Sequence, residues 1–373
     1  MQSDRREFLQ LSLAAGAFLA TSSRASASDA TRATDAKKLK VLVLGGTGFI
    51  GPALVELAVA HGHTVTLFNR GKTNKDLFPG LEKILGDRDP KKGDGLKGLE
   101  GRKFDVVFDD CGYYPRHVKA SAEMFAQAEL GHYVYVSSIS CYAKNDVEGA
   151  DETAALARMD DPTLETMGDQ FQYYGPLKVL CEEAAERALL GKTTIIRPGY
   201  IVGPGDPTDR FTYWPVRFDK GGKILVPGAP TDPLQVIDVR DLSAFMLLCA
   251  EKHMIGTYNA CGPEKRLSWG DTLDACKHAS SAKDIEMKWM SAEKVMALKG
   301  VEFPIWAPYV GETKGFHTCS NARAIAAGLA CTPIGKIVAD TLAWWKTLPE
   351  DRRARMKRQF DPAKEAELLA SLG

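Results

Sequence analysis

Short runs of apolar and β-branched residues alternate with longer stretches in which apolar positions recur every three or four residues. The short runs indicate buried parallel strands, and the periodic stretches indicate helices that cover the sheet. We therefore predict an α/β domain whose seven strands lie at Val41–Leu44, Thr64–Phe68, Lys83–Asp89, Phe104–Asp109, His132–Val136, Thr193–Gly199 and Thr257–Gly262. Further strands are predicted at Lys223–Val226, Leu234–Val239 and Ile285–Trp289, and a helix at Ile337–Leu348.

A glycine-rich turn, GGTGFIG, connects the first strand to the first helix. A strand, a glycine turn, a helix and a second strand within about thirty residues are typical of a dinucleotide site. We expect Gly45 to permit the tight turn, Gly48 to admit a pyrophosphate and Gly51 to let the helix pack closely. Phe49 and Ile50 would complete this cofactor-binding loop. The alternative is an ordinary glycine turn.

The same heptapeptide resembles the extended short-chain dehydrogenase/reductases, also called the NAD(P)-dependent epimerase/dehydratase family. Its spacing is G-x-x-G-x-x-G, whereas the Rossmann fingerprint is G-x-G-x-x-G. The resemblance covers residues 38–349 and implies a Rossmann doubly wound parallel sheet with a smaller C-terminal α/β substrate-binding lobe. We expect the chain to divide into a signal peptide (1–27), a linker (28–37), an NAD(P)-binding Rossmann domain (38–199 and 236–262), the lobe (200–235 and 263–349) and a C-terminal helical tail (350–373).

A serine-rich segment ends the fifth strand, and Tyr174 and Lys178 open the helix that follows it in the chain. Four residues apart, these two side chains share one helical face. Such a pair alone is weak, and a surface pair is the alternative reading. The resemblance implies that Ser138, Tyr174 and Lys178 form the catalytic triad.

The end of the second strand bears on the choice of cofactor. An acidic residue there would accept hydrogen bonds from the ribose of NAD, but the chain has Asn69 and Arg70. Since Arg70 can pair with a 2′-phosphate, we favour NADP, with NAD as the alternative. The alternative is that Arg70 is a solvated loop arginine. The resemblance also implies cofactor contacts from Asn69, Asp87, Arg88, Lys178 and Pro198.

One segment departs from the family pattern. The fourth strand ends in Asp109-Asp110-Cys111-Gly112, where the family has His-x-Ala. Ligands of open α/β sheets bind at the carboxyl ends of the strands. The aromatic loop Asp209–Trp214 contains one arginine, and it suits either a substrate lid or a packed aromatic turn. The expected substrate-binding residues are Tyr113, Ser140, Arg210 and Tyr213.

The N-terminus has the pattern of an export signal. Arg5 and Arg6 precede an apolar stretch and a small-residue segment, Ala25–Ala27, that suits cleavage. The paired arginines resemble a twin-arginine signal. We expect a periplasmic or otherwise exported protein with no membrane span after signal removal; the alternative is a cytoplasmic protein with a disordered tail.

The amino-acid composition limits the classes of binding partner that we expect. The net charge of the 373 residues is zero, which argues against a nucleic-acid footprint. The eight cysteines lack zinc spacing, and no metal site is expected at His61 and His63, which lie in a turn. The charged run at 352–358 suggests a solvated helix face. The oligomeric state stays open, with a homodimer as one option.

The expected activity follows from the resemblance. It is hydride transfer between a nicotinamide cofactor and a secondary alcohol or ketone, in a reductase, dehydrogenase or epimerase acting on a sugar-like small molecule. Lys178 would favour the phenolate of Tyr174, which exchanges the hydroxyl proton, while Ser138 holds the same oxygen. The alternative is a non-catalytic nucleotide-binding or RNA-binding protein of the same fold.

Overall fold

The computed structural model describes residues 37–298 and 300–372; the predicted export signal lies outside this range. A seven-stranded parallel sheet forms its centre, in the order β3-β2-β1-β4-β5-β6-β11. The first six strands follow the order of a Rossmann fold. The strands are β1 (Lys40–Leu44), β2 (Thr64–Asn69), β3 (Glu82–Leu85), β4 (Val106–Asp109), β5 (His132–Val136), β6 (Thr193–Pro198) and β11 (Gly256–Ala260). The predicted Rossmann α/β fold is confirmed.

Helices cover both faces of this sheet because its central strands are apolar on both sides. The residues of β1 from Val41 to Leu44 are fully buried. Side chains of β1 contribute alternately to two hydrophobic clusters, with Val41 and Val43 in one and Leu42 and Leu44 in the other. The helices of this part are α1 (Ile50–Ala60), α2 (Pro115–Gln127), α3 (Tyr174–Ala188) and α5 (Val239–Glu251).

A third hydrophobic cluster belongs to the segments that flank and follow β11 in the chain. Trp214 and Trp269 are fully buried in it and meet edge to face at 4.8 Å between ring centroids. Three two-stranded sheets accompany it: β7 (Tyr200–Val202) with β10 (Val236–Asp238), β8 (Gly222–Pro227) with β13 (Ile285–Met290), and β9 (Pro233–Leu234) with β12 (Leu267–Ser268). Its helices are α4 (Tyr213–Asp219), α6 (Trp269–Ala279), α7 (Ala292–Met296) and α9 (Ile334–Thr347). The helix α8 (Ala322–Ala326) packs through Ala324 in the cluster that contains Val41 and Val43.

The C-terminal segment packs on this part of the molecule through charged residues. Two helices form there, α10 (Glu350–Arg353) and α11 (Pro362–Leu372). Arg352 donates to the fully buried Asp209 at 2.6 Å. The interpretation of the run 352–358 as a solvated helix face is therefore wrong for Arg352, because its partner lies more than a hundred residues earlier in the chain.

Close backbone packing fixes the glycine turn. Gly45 and Gly46 have φ angles of +121° and +81°, which side-chain-bearing residues rarely adopt. A Cβ on Gly51 would lie 2.4 Å from the backbone of Gly46, whereas a Cβ on Gly48 would meet nothing within 4 Å. Gly51 thus sets the distance between helix and turn, and Gly48 leaves open space.

Alanine substitution of these two glycines should separate the two roles. Gly51→Ala should lower the free energy of unfolding by about 1–3 kcal/mol, since the backbone must move to accept the methyl group. Gly48→Ala is the matched control and should change it by less than about 1 kcal/mol. Urea denaturation measures both values; equal stabilities would contradict the packing described.

Candidate functional site

A large cavity opens where the parallel strands end. Its volume is about 1040 Å³, and its walls include the last residues of β1, β2, β5 and β6. This is the edge at which open α/β sheets bind their ligands. Most of the residues predicted for the site line this cavity: Gly45, Gly48, Phe49, Ile50, Asn69, Arg70, Asp87, Arg88, Tyr113, Ser138, Ser140, Tyr174, Lys178, Pro198 and Arg210.

The glycine turn forms one wall, and the structure adds a residue that the sequence reading missed. Gly46 has a left-handed backbone and receives the close approach of Gly51. Counted from Gly46, the glycines at 46, 48 and 51 have the spacing G-x-G-x-x-G. The departure inferred from Gly45 therefore disappears, and this spacing was the signal that could have identified Gly46.

At the ends of β2 and β3, Asn69 and Asp87 form hydrogen bonds within the protein, whereas Arg70 is exposed. The Asn69 side chain donates to the carbonyl of Gly45 at 3.3 Å and accepts from the N–H of Gly71 at 2.9 Å. It therefore holds the turn in place. Arg70 is exposed and lines the cavity. Asp87 also lines it, and its carboxylate accepts from the N–H of Asp89 at 3.0 Å.

Arg88 differs from the expectation of a cofactor contact. Its guanidinium makes a two-pronged ion pair with Asp109, with Nη2 at 2.7 Å from Oδ2. Burial opposes the charge of Asp109, but Arg88 outweighs it and holds the pKa of that carboxyl below its usual value. Because removing one member of such a buried pair costs about 3–5 kcal/mol, Arg88 has a structural task even though it lies along the cavity.

Asp110 belongs to the segment that departs from the family pattern. Its Oδ1 lies where it would be 2.1 Å from a Cβ on Gly45, and the carboxylate is hydrogen-bonded to the backbone of Gly46. Burial, together with the charge of Asp109, raises the pKa of Asp110 to about 7. The glycine turn therefore rests on a carboxyl that is only partly ionised at neutral pH.

The three residues of the predicted triad line one cavity, and the start of α3 packs on the segment after β5. A Cβ on Gly175 would lie 2.0 Å from the Ser140 carbonyl oxygen, so only glycine permits this approach. It places Tyr174 on the same cavity as Ser138 and Ser140. The Ser138 hydroxyl accepts from the N–H of Ser140 at 3.1 Å. The sequence reading did not identify Gly175.

Lys178 is buried below Tyr174, with 3% of its surface exposed. Its ammonium donates to the carbonyls of Val136 and Gly112 at 2.7 and 2.9 Å. It also lies 4.6 Å from the ring centroid of Tyr135 and 5.3 Å from that of Tyr113. An ammonium has three N–H donors, so one remains beyond these two carbonyls.

Tyr213 does not join the expected substrate group. It is buried with 4% exposed, at the start of α4. Its ring meets that of Trp214 in the third hydrophobic cluster. The expectation for Tyr213 was wrong because the aromatic loop continues directly into a helix whose residues are almost all buried.

His61 and His63 come together with Glu251 at the end of α5, away from the cavity residues. Their nitrogens lie 2.7 and 3.0 Å from Glu251 Oε1, a grouping with the donor types of a metal site. The N–H of Leu39 donates to His63 Nδ1 at 3.2 Å. The proton of a neutral His63 then lies on Nε2, where a metal would bind, so the cluster acts as a hydrogen-bonded clamp between α1, β2 and α5.

Comparison with known proteins agrees with the fold and with the glycine turn. Residues 41–109 match the model of the NAD dependent epimerase/dehydratase family. The chain is similar to this family and to other extended short-chain dehydrogenase/reductases. The Bordetella bronchiseptica enzyme WbmG, solved with NAD and UDP, superposes with a TM-score of 0.63 at 15% identity, over 84% of this chain and 96% of that one. At that identity the likeness establishes the fold.

Two relatives have names that describe different functions. The chloroplast stem-loop binding protein of 41 kDa b of Arabidopsis thaliana is 32% identical over 266 residues, 66% of this chain and 65% of that protein. The 2-alkyl-3-oxoalkanoate reductase of Stenotrophomonas maltophilia is 32% identical over 190 residues, 45% of this chain and 52% of that protein. The matches thus cover less than two thirds of either relative.

No helix among the described residues has the length and apolar character needed to cross a bilayer.

Proposed function

We propose that the protein is an NAD(P)-dependent oxidoreductase or epimerase that transfers a hydride between a nicotinamide cofactor and a secondary alcohol or ketone. The observation that carries this proposal is the shared cavity: Ser138, Tyr174 and Lys178 line the same space as the glycine turn. The reductase among the relatives supports ketone chemistry, and the epimerase structures support a sugar-like substrate.

The residues present fit a dinucleotide. Gly48 is exposed on the cavity and a Cβ there would meet nothing, so a phosphate could approach the backbone at the start of α1. The partly protonated Asp110 limits the negative charge beneath this turn. When bound, the nicotinamide would supply or accept the hydride. Gly45, Gly48, Phe49 and Ile50, which line the cavity, would hold the diphosphate half.

The triad residues have separate tasks. Tyr174, at the cavity wall, donates a proton to the substrate oxygen in reduction or removes it in oxidation. Ser138 hydrogen-bonds the same oxygen. Lys178 lies one helical turn after Tyr174, with its buried ammonium on the wall of the same cavity. Its remaining N–H donor is available to a ribose hydroxyl.

Replacing the Tyr174 hydroxyl should abolish proton transfer while leaving the fold intact. Turnover in Tyr174→Phe should fall by about two to four orders of magnitude, with little change in cofactor Kd. The neighbouring Tyr173, which lies outside the cavity lining, provides the matched control: Tyr173→Phe should turn over like the wild type. Steady-state kcat and calorimetric Kd decide the matter, once a panel of ketones and alcohols has supplied a substrate.

Lys178→Met should behave differently from both tyrosine variants. It should weaken cofactor binding and turnover, and it should also lower the free energy of unfolding by about 2–4 kcal/mol, because two buried carbonyls lose a charged donor. A Tyr174→Phe enzyme with near-normal kcat, when hydride transfer is rate-limiting, would remove Tyr174 from the acid/base role.

We further propose that the cofactor is NADP(H), on the strength of the exposed Arg70 after β2. Arg70→Ala should raise the Kd of NADP(H) about tenfold or more, since a charge-assisted hydrogen bond is lost, while the Kd of NAD(H) stays constant. Arg102→Ala, which removes an exposed partner of Glu82, is the control. Calorimetric titration of both dinucleotides that shows tighter NAD(H) binding in the wild type would refute this preference.

Export through the twin-arginine pathway is also a proposal, supported by the sequence of residues 1–27. Changing Arg5 and Arg6 to lysine should abolish the periplasmic fraction, because the pathway reads the arginine pair as an address. Arg24→Lys, within the same segment, should leave export intact. Cell fractionation with unchanged periplasmic protein in the double variant would show that the signal was misread.

A second candidate is a nucleotide-binding or RNA-binding protein without turnover. It is favoured by the similarity to a protein whose name describes stem-loop binding. The zero net charge gives no basic footprint for RNA. Like the oxidoreductase, such a protein would retain its nucleotide binding in Tyr174→Phe, but it would show no turnover in either form.

A further inference from the structure

Two arginines from distant parts of the chain meet the same cavity beside Tyr200. Arg210 follows β7, and Arg358 comes from the segment between α10 and α11. None of the ion pairs among residues 37–298 and 300–372 involves either guanidinium, although neighbouring arginines such as Arg352 and Arg355 are paired. Both guanidinium groups therefore offer positive charge to an anion that enters the cavity.

Arg210 is held in one orientation. Its Nε donates to Thr208 Oγ1 at 3.0 Å, and that hydroxyl donates to Asp206 Oδ1 at 2.7 Å. The guanidinium carbon lies 4.8 Å from the centroid of the Tyr200 ring. This anchoring uses Nε and one face of the group and leaves both Nη groups free of described partners. They form the fork that binds carboxylate or phosphate oxygens in pairs.

Hydrogen bonds to Asp209 hold the segment that precedes Arg358 against the loop 206–210. This carboxylate is fully buried and accepts from Arg352 Nη2 at 2.6 Å and from the N–H of Lys357 at 3.0 Å. The ammonium of Lys357 donates to the carbonyl of Pro207 at 2.9 Å. The loop 206–210 and the segment 352–358 are therefore fastened together, and Arg358 follows directly from the fastened residue.

Neither carboxylate of the same loop forms an ion pair with Arg210. Asp206 accepts a hydrogen bond from Thr208, and burial raises its pKa, while Asp209 is paired with Arg352. Asp206 is 2% exposed, and its Oδ2 has no hydrogen-bond partner among the described residues. Glu302, the carboxylate that also acts on Tyr200, is exposed.

We propose that Arg210 and Arg358 bind an anionic oxygen group of the substrate, a carboxylate or a phosphate. The assignment of this group to the substrate rests on the proposed function. The substrate class is then a hydroxy or keto compound that carries a negative charge. Arg210 supplies the oriented fork, and the exposed Arg358 supplies a second donor.

Chemical modification of arginine tests this proposal without a known substrate. The full chain is treated with phenylglyoxal in acetate, in orthophosphate or in chloride at equal ionic strength, and peptide mass spectrometry gives the rate at each arginine. Acetate or orthophosphate should slow modification of Arg210 and Arg358 several-fold relative to chloride, whereas Arg355 should react equally in all three. The more protective anion distinguishes a carboxylate from a phosphate.

Binding measurements with matched variants complete the test. Arg358→Gln should raise the calorimetric Kd of the protecting anion about tenfold or more, while Arg355→Gln, three residues earlier, should leave it unchanged. Equal modification rates in all three salts would overturn the proposal. Protection by NADP(H) alone would also overturn it, because the arginines would then serve the cofactor. A protein that binds anions here but no dinucleotide would instead refute the proposed function.

Discussion

The arrangement of the candidate site depends on one buried ammonium. Lys178 joins α3 to the ends of β4 and β5 through the carbonyls of Gly112 and Val136. A buried cation is costly unless its donors are satisfied, and here carbonyl dipoles and the faces of Tyr113 and Tyr135 replace a carboxylate. The segments that end β4 and β5 hold Lys178 through these hydrogen bonds, and Lys178 in turn positions α3, which begins with Tyr174.

Glycines provide the second constraint, because they set how closely backbone segments approach. Gly51 brings α1 against Gly46, and Gly175 brings α3 against the carbonyl of Ser140. Both contacts lie at the first turn of a helix whose start faces the cavity. Side chains larger than hydrogen would push each helix away from the sheet edge, so the two halves of the site are placed by the same physical device.

Local patterns sufficed to predict the strands of the sheet and the placement of Tyr174 and Lys178 in the first turns of one helix, since spacing along one element determines them. The errors concern residues whose surroundings come from distant segments. Arg88 pairs with Asp109 at the end of the next strand. Arg352 pairs with Asp209, which lies 143 residues earlier in the sequence. The role of Gly46 was missed for a simpler reason: the three-residue spacing was counted from Gly45, one position too early.

The most direct measurement is a crystal structure of the full chain with NADP bound. The diphosphate should lie on residues 46–51, the 2′-phosphate should contact Arg70, and the nicotinamide should lie within reach of Tyr174 and Lys178. A dinucleotide bound in the opposite direction, or with its nicotinamide remote from Tyr174, would contradict the assignment of this cavity as a hydride-transfer site.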